Sequence, residues 1–223
     1  MSRPGSRPDS RLGSRLGDLW EQRLLPRVID VTCSDKVTGT WRDQVCAPVA
    51  GEVLEVGFGS GTNLRHYGDA VQRVHAVEPS DLAWERAQPA IRAFGRPVER
   101  IGLDGAAIAL ADGTMDAVVS SYTMCTIPDL DSALAEMRRV LRPDGALHFV
   151  EHAKPPNPKV AARQDKLQPL WGRIAGGCHL GRDIPNLVAD GGFTVHELDA
   201  FWMPGPRFMR PFSWMTVGRA TPV

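Results

Sequence analysis

The chain has 223 residues, 43% of them hydrophobic, which is enough for one sizeable core and too little for a second full domain beside it. Its 26 basic and 26 acidic side chains cancel, so no global field recruits nucleic acid and none is expected among its partners. Cys33, Cys46, Cys125 and Cys178 contain no C-x-x-C pair, which suits neither a disulfide framework nor a zinc knuckle and predicts a reducing, cytoplasmic setting.

The first seventeen residues repeat Ser-Arg at every fourth position, through Arg3, Arg7, Arg11 and Arg15, with Gly and Pro interleaved. Such a stretch cannot bury a core and reads as a disordered tail over 1–17. A transit peptide would need an amphipathic pattern that the tail lacks, and no charged-then-apolar signal peptide is read at the start. Trp20, Leu24 and Val28 then recur at helical spacing opposite Glu21, Arg23 and Arg27, predicting an amphipathic helix that Pro26 kinks or breaks. A basic tail before an apolar helix face is also the pattern of weak peripheral membrane contact, against which stands a plain role as a lid. No apolar run approaches the ~18 residues of a membrane span. The expected organisation is one domain over 18–223: a helical cap at 18–50, a cofactor-binding core at 51–152, and a substrate-side segment with the last strands at 153–223.

From Glu52 onward, strands and helices alternate. Apolar strands are read at Val53 to Val56, Val74 to Val77, Ala117 to Val119 and Ala146 to Val150. The clearest helix is "DSALAEMRRVL", where Leu134, Met137 and Leu141 share a face, Asp131 is the expected cap, and Pro143 and Gly145 of "RPDG" stop it. This alternation predicts an open α/β sheet of parallel strands joined by crossover helices, with ligands at the carboxyl ends of the strands.

In "VLEVGFGSGTNL" the first strand carries a carboxylate, Glu55, and enters a turn with Gly57, Gly59 and Gly61. The dinucleotide fingerprint requires a third small residue where Thr62 stands, and Glu55 would repel a pyrophosphate. A P-loop lacks its Gly-Lys-Ser/Thr. S-adenosylmethionine fits better, because its methionine end offers an ammonium for the carboxylate and a carboxylate for the backbone amides of the turn. The plain alternative is that Glu55 pairs with an arginine for stability. Glu78 ends the next strand about twenty residues past the glycine turn, the spacing at which an acid reaches a ribose diol. Asp104 in "GLDGA" lies where a third strand would end, suited to an adenine amino group or to an ordinary Asp-Gly turn.

With "VLEVGFGSG", "VHAVEPS", "MDAVVSSYTMCTIPD" and "EMRRVLRPDGALHFVEH", residues 52–152 resemble a class I S-adenosylmethionine-dependent methyltransferase of the small-molecule type. The resemblance implies a Rossmann-like, mostly parallel seven-stranded sheet with helices on both faces. It also implies S-adenosyl-L-methionine as cofactor, held by Glu55, Gly57, Gly59, Gly61, Asn63, Glu78, Pro79, Ser80, Asp104, Gly105 and Ser121. Relatives often carry Glu where Ala106 stands and Gly where Asp144 stands. The stretch "RQDKLQPLWGRIAGGCHLGRDIPNLVADGGF" is similar to a bacterial branch related to the animal methyltransferase-like thiol methyltransferases, which share the strand-ending "EH" and a "GGCHL"-type segment. It directs the acceptor toward small lipophilic molecules, a thiol among them.

Methyl transfer is an in-line displacement at a carbon activated by the sulfonium, so positioning supplies most of the acceleration, and a base is needed only for an acceptor that holds its proton tightly. Tyr122, past the fourth strand, and His152, at the end of the fifth, are the catalytic candidates, with Glu151, Trp171, Cys178 and His179 on the substrate side. The alternative for His152 is a structural imidazole orienting the next loop. No metal is expected, because Cys125, His152, Cys178 and His179 would have to converge from unrelated loops without ligand spacing. Trp171, Phe201, Trp202, Phe208, Phe212 and Trp214 read mainly as core and sheet packing, with one or two walling an apolar pocket. A quinone- or lipid-directed methyltransferase and a non-catalytic nucleoside-binding module are the alternative readings, and the oligomeric state is not read from the sequence.

Overall fold

The computed structural model describes residues 35–223. The Ser/Arg tail, the helix read around Trp20 to Ile29, and Cys33 lie outside the described residues. The first described element, α1 (Asp35–Cys46), buries Thr38, Arg42, Val45 and Cys46 along one stripe. Two of those four are polar, which marks a helix covering a polar site as well as a core.

Seven strands follow, β1 (Gly51–Val56), β2 (Val71–Val77), β3 (Val98–Gly102), β4 (Met115–Ser121), β5 (Leu141–His152), β6 (Phe193–Trp202) and β7 (Trp214–Pro222). They form one sheet in the order β3-β2-β1-β4-β5-β7-β6. The first five are parallel, and the final hairpin adds β7 antiparallel to β5 and β6 antiparallel to β7. This is the seven-stranded, mostly parallel Rossmann-like architecture that the family resemblance implies. The strand order reverses between β1 and β4, where ligands of such sheets bind.

Alternation along the strands sorts the core onto two faces. Leu54 and Val56 of β1 pack with α3 (Leu130–Val140) and α5 (Ile184–Asp190) through Leu134, Met137, Ile184 and Val188. Val53 points the other way, with Val45 of α1 and Ala87 of α2 (Asp81–Phe94). Glu55 shares the face of Val53, so its carboxylate is directed toward α1.

Two expectations are corrected in detail. The cap of α3 is Asp129, whose side chain accepts from the Ser132 amide at 3.1 Å, and Asp131 sits inside the first turn. The helix ends at Val140, before Pro143 and Gly145, and "RPDG" bulges within β5, where Met115 pairs Leu141 and Ala117 pairs Ala146. Beyond β5, α4 (Pro158–Ile174) starts with Asn157 as cap and proline at its first position, an ordinary helix start.

Candidate active site

Gly57, Gly59 and Gly61 all have positive φ, which bends the chain sharply out of β1. At Gly57 a side chain would also collide with Thr123, since a Cβ would lie 2.0 Å from its hydroxyl oxygen. Gly59 differs, because nothing lies within 4 Å of where its Cβ would be. One glycine of the turn lets two loops touch and the other leaves open space.

Glu78 borders that space at the end of β2. Its Oε2 accepts from the Gly59 amide and its Oε1 from the Ser80 amide, each at 2.7 Å. One donor per oxygen leaves acceptor capacity on both. The carboxylate therefore ties the glycine turn to the start of α2, where Ser80 is the cap and Pro79 is exposed.

Glu55 is 1% exposed. Its Oε1 accepts from Asn63 Nδ2 at 2.9 Å and its Oε2 from the Tyr67 hydroxyl at 2.7 Å. Asn63 also donates to Ser121 Oγ at 3.2 Å, and its Oδ1 accepts from Arg42, whose Nε donates to Thr38 Oγ1 at 3.0 Å. The guanidinium of Arg42 lies 5.0 Å above the Tyr122 ring. Arginine thus reaches Glu55 through Asn63 instead of by a direct ion pair. Asn63 and Ser121, expected as cofactor contacts, face each other within this network.

Burial lifts the Glu55 carboxyl from 4.5 to about 7, against the pull of Tyr67, Arg42 and Asn63. Between those values the folded protein holds a proton that the unfolded chain has released. Stability therefore falls as pH rises through that window and is flat above it. In Glu55→Gln the amide can accept from Asn63 and donate to the Tyr67 oxygen, so the buried charge is removed at the cost of the acceptor for the Tyr67 hydroxyl proton. The variant is expected to gain about 2 kcal/mol at about pH 8, after allowing for weaker neutral hydrogen bonds, and to lose the pH dependence. Urea unfolding at about pH 5 and pH 8 measures both, and a variant less stable than the parent at the higher pH would contradict the assignment.

Glu151, expected on the substrate side, is engaged by hydrogen bonds within the protein. It is fully buried, and Oε1 accepts from Ser120 Oγ, the Thr123 amide and the Met124 amide at 2.9, 2.9 and 3.0 Å. Its Oε2 accepts from the Cys125 amide at 3.3 Å. Burial raises its carboxyl above the ordinary range, and these donors act against that rise. The carboxylate shapes the loop after β4, which begins with Tyr122 at φ 58, the one non-glycine residue with positive φ among the described residues. Strain of this kind is held by surrounding structure and concentrates at functional sites.

His152 is 8% exposed, and burial lowers its imidazole to about 4, opposed by the Pro211 carbonyl. At neutral pH it is uncharged and weakly basic. Asp104 closes an exposed Asx turn by accepting from the Ala106 amide at 2.9 Å, and Gly105 is buried, with a Cβ there 3.1 Å from Val56.

The segment after α4 comes back onto the β4 loop. The His179 amide donates to the Cys125 carbonyl at 2.8 Å, and Arg182 donates to the Met124 carbonyl. Gln168 of α4 holds the Cys178 carbonyl at 3.0 Å and the Leu180 amide at 2.7 Å. Cys178 lies 3.6 Å from Cys125, sulfur to sulfur, so two of the four residues not expected to converge do meet. Among the described residues no group of three or more His, Cys, Asp or Glu is placed to hold a metal. Trp171 packs on Phe212 at 4.6 Å between centroids, and the His179 side chain is exposed.

Reading the sequence alone passes over Thr38, Arg42, Tyr67, Thr123 and Gln164. Gln164 is fully buried and donates to the Pro211 carbonyl at 3.0 Å, tying α4 to the turn before β7. For Arg42 and Gln164 a signal exists, a polar residue on the apolar stripe of its helix; for Tyr67 and Thr123 none does.

Comparison with known proteins agrees with this arrangement. A family described as "Methyltransferase domain" matches residues 54–149. The thiol S-methyltransferase TMT1B of Rattus norvegicus is 31% identical over 182 residues, covering 74% of this chain and 66% of the relative, so the chain spans slightly under two thirds of that protein. A phosphatidylethanolamine N-methyltransferase of Cereibacter sphaeroides is 30% identical over 167 residues, covering 73% of this chain and 81% of the relative. Among solved structures, a S-adenosylmethionine-dependent methyltransferase of Methanosarcina mazei superposes with a TM-score of 0.58 at 18% identity, covering 77% of this chain and 92% of that one, a likeness of fold. The glycine turn with its two strand-end acids, the seven-stranded sheet and these matches agree: the chain belongs to the class I S-adenosylmethionine-dependent methyltransferases.

Proposed function

We propose that the chain transfers the methyl group of S-adenosylmethionine to a small lipophilic thiol. The observation that carries the thiol reading is the state of the two groups at the end of β5. Glu151 is occupied by four protein donors, and His152 is held at about 4. The Glu151 oxygens are committed to protein donors and the His152 imidazole is weakly basic, so neither is available as a base, which suits an acceptor that ionises by itself near neutrality, as thiols do at about 8.5. The similarity to thiol S-methyltransferases supports the same reading.

The residues present fit the cofactor. The open space at Gly59 beside the half-satisfied carboxylate of Glu78 suits a ribose diol, and the amides of the glycine turn suit the methionine carboxylate. Glu55 acts on the ammonium end by its charge, with Asn63 and Ser121 as the groups between, and Asp104 with Gly105 borders the adenine. When bound, the cofactor supplies a methyl carbon already activated by its sulfonium. The chain's own residues orient the two partners, exclude water and leave ionisation of the acceptor to solvent.

With a thiol acceptor the rate at saturating cofactor is expected to rise about tenfold per pH unit up to the thiol's own pKa. His152→Ala should keep substantial activity above that point. A pH profile independent of the thiol's pKa, or near-total loss in His152→Ala at every pH, would contradict the reading.

A lipid amine is the second reading. It draws on the phosphatidylethanolamine N-methyltransferase relative and on exposed Leu170, Ile174, Phe208 and Met209, which project from α4 and the short helical turn Arg207–Phe212. Those apolar groups also suit peripheral membrane contact; no described helix is long and apolar enough to cross a membrane. Methylation of amine lipids in vesicles, with none of soluble thiols, would favour this second reading.

A further inference from the structure

Two thiols from segments far apart in sequence meet beside the site. The Cys125 and Cys178 sulfurs are 3.6 Å apart, and each is fixed through its neighbours. The Cys125 amide is held by Glu151, its carbonyl receives the His179 amide at 2.8 Å, and the Cys178 carbonyl is held by Gln168. Neither is in a disulfide, and closing to the bonded distance of about 2.05 Å requires only a small shift of one loop against the other. Burial differs in a useful direction: Cys125 is 4% exposed, and Cys178 is the more accessible of the two.

We propose that Cys125 and Cys178 form a modification site for peroxides, which oxidise the pair to a reversible disulfide pinning the loop after α4 to the loop after β4. The Cys178 thiolate attacks a peroxide oxygen, the O–O bond breaks, and the sulfenic acid forms with release of water or, from an organic peroxide, an alcohol. The Cys125 sulfur then attacks the Cys178 sulfur, the S–O bond breaks, and the leaving hydroxide takes the Cys125 thiol proton and departs as water. Two thiols are oxidised by two electrons and the peroxide is reduced by two. The adjoining Cys125 thiol holds Cys178 below the ordinary thiol range, burial opposes this, and the nearby Trp171 indole N–H and the Arg182 charge add to the lowering. Accessibility assigns the roles: Cys178, the more exposed of the two, is the attacking thiol and the buried Cys125 the resolving one. Because the pinned loops border Tyr122 and the ends of β4 and β5, the disulfide restricts acceptor entry or product release. This last consequence rests on the proposed function; the disulfide itself does not.

The test treats the reduced full chain with one equivalent of hydrogen peroxide, alkylates the remaining thiols and maps the peptides by mass spectrometry. The expected result is a Cys125–Cys178 linked peptide lighter by two hydrogens, with Cys46 still alkylated after unfolding, and full reversal by dithiothreitol. Cys178→Ser and, separately, Cys125→Ala should lose the linkage. Methyl transfer by the oxidised parent should fall about tenfold and recover on reduction, while each variant, normalised to its own reduced activity, should not respond. Over-oxidation of Cys178 without a cross-link, or both thiols remaining alkylatable, would overturn the site. A linked protein that turns over at the reduced rate would overturn the restriction of the loops and leave the site standing.

Discussion

Glu151→Gln is expected to lower the unfolding free energy by about 1–3 kcal/mol: its amide oxygen can keep the three bonds made by Oε1, but its NH2 must then face the Cys125 backbone N–H in place of Oε2, and the three remaining bonds lose their charge. The Cys125 amide cannot be redirected without moving the loop. The same substitution removes the anchor behind the positive φ of Tyr122, so activity should fall with stability, and residual activity should be recovered in part by stabilising osmolytes. Urea unfolding followed by circular dichroism gives the first quantity, and initial rates with and without osmolyte give the second. A variant as stable as the parent yet inactive would return Glu151 to the substrate side.

Glu78→Ala carries the second large effect. It removes the partner proposed for both ribose hydroxyls and also leaves the Gly59 and Ser80 amides without their acceptor, so the cradle loosens as the contact is lost. Binding of S-adenosylmethionine is expected to weaken by about a hundredfold, close to 3 kcal/mol. Adenosine, which has the ribose but lacks the methionine end, should be affected to a similar degree. Glu55→Gln should weaken the full cofactor and scarcely change adenosine. Calorimetry on both variants resolves the comparison, and equal losses of adenosine binding in folded Glu78→Ala and Glu55→Gln would show that the two strand ends do not divide the ligand between them.

The parts of this site legible in the sequence are those fixed by local rules. Strand β1 with its carboxylate, the three glycines of positive φ and the acid ending β2 could be read because alternation and turn chemistry act over a few residues. What the acids bind inside the protein could not be read. Glu55 finds Asn63 and Tyr67 across a turn, and Glu151 finds amides of a loop on the neighbouring strand, through bonds that exist only once β4 and β5 are paired. Glu151 therefore looked like a reactive strand-end group while serving as the loop's internal acceptor. Arg42 escaped notice because its partners lie on the turn after β1 and the loop after β4, and Cys125 and Cys178 did so because no spacing rule links the segments that tertiary packing brings together. The displacement of the α3 cap from Asp131 to Asp129 is a smaller matter of two acids competing for one helix start.

The most direct test of the central claim is transfer of an isotopically labelled methyl group from S-adenosylmethionine to a lipophilic aryl or alkyl thiol, with products separated and identified by mass. The account predicts a labelled methyl thioether and S-adenosylhomocysteine in equal amounts, at a rate that follows the thiolate concentration. Tight binding of S-adenosylmethionine with no labelled product from any thiol, phenol, quinone precursor or amine, in a folded protein, would contradict it and leave a nucleoside-binding module in its place.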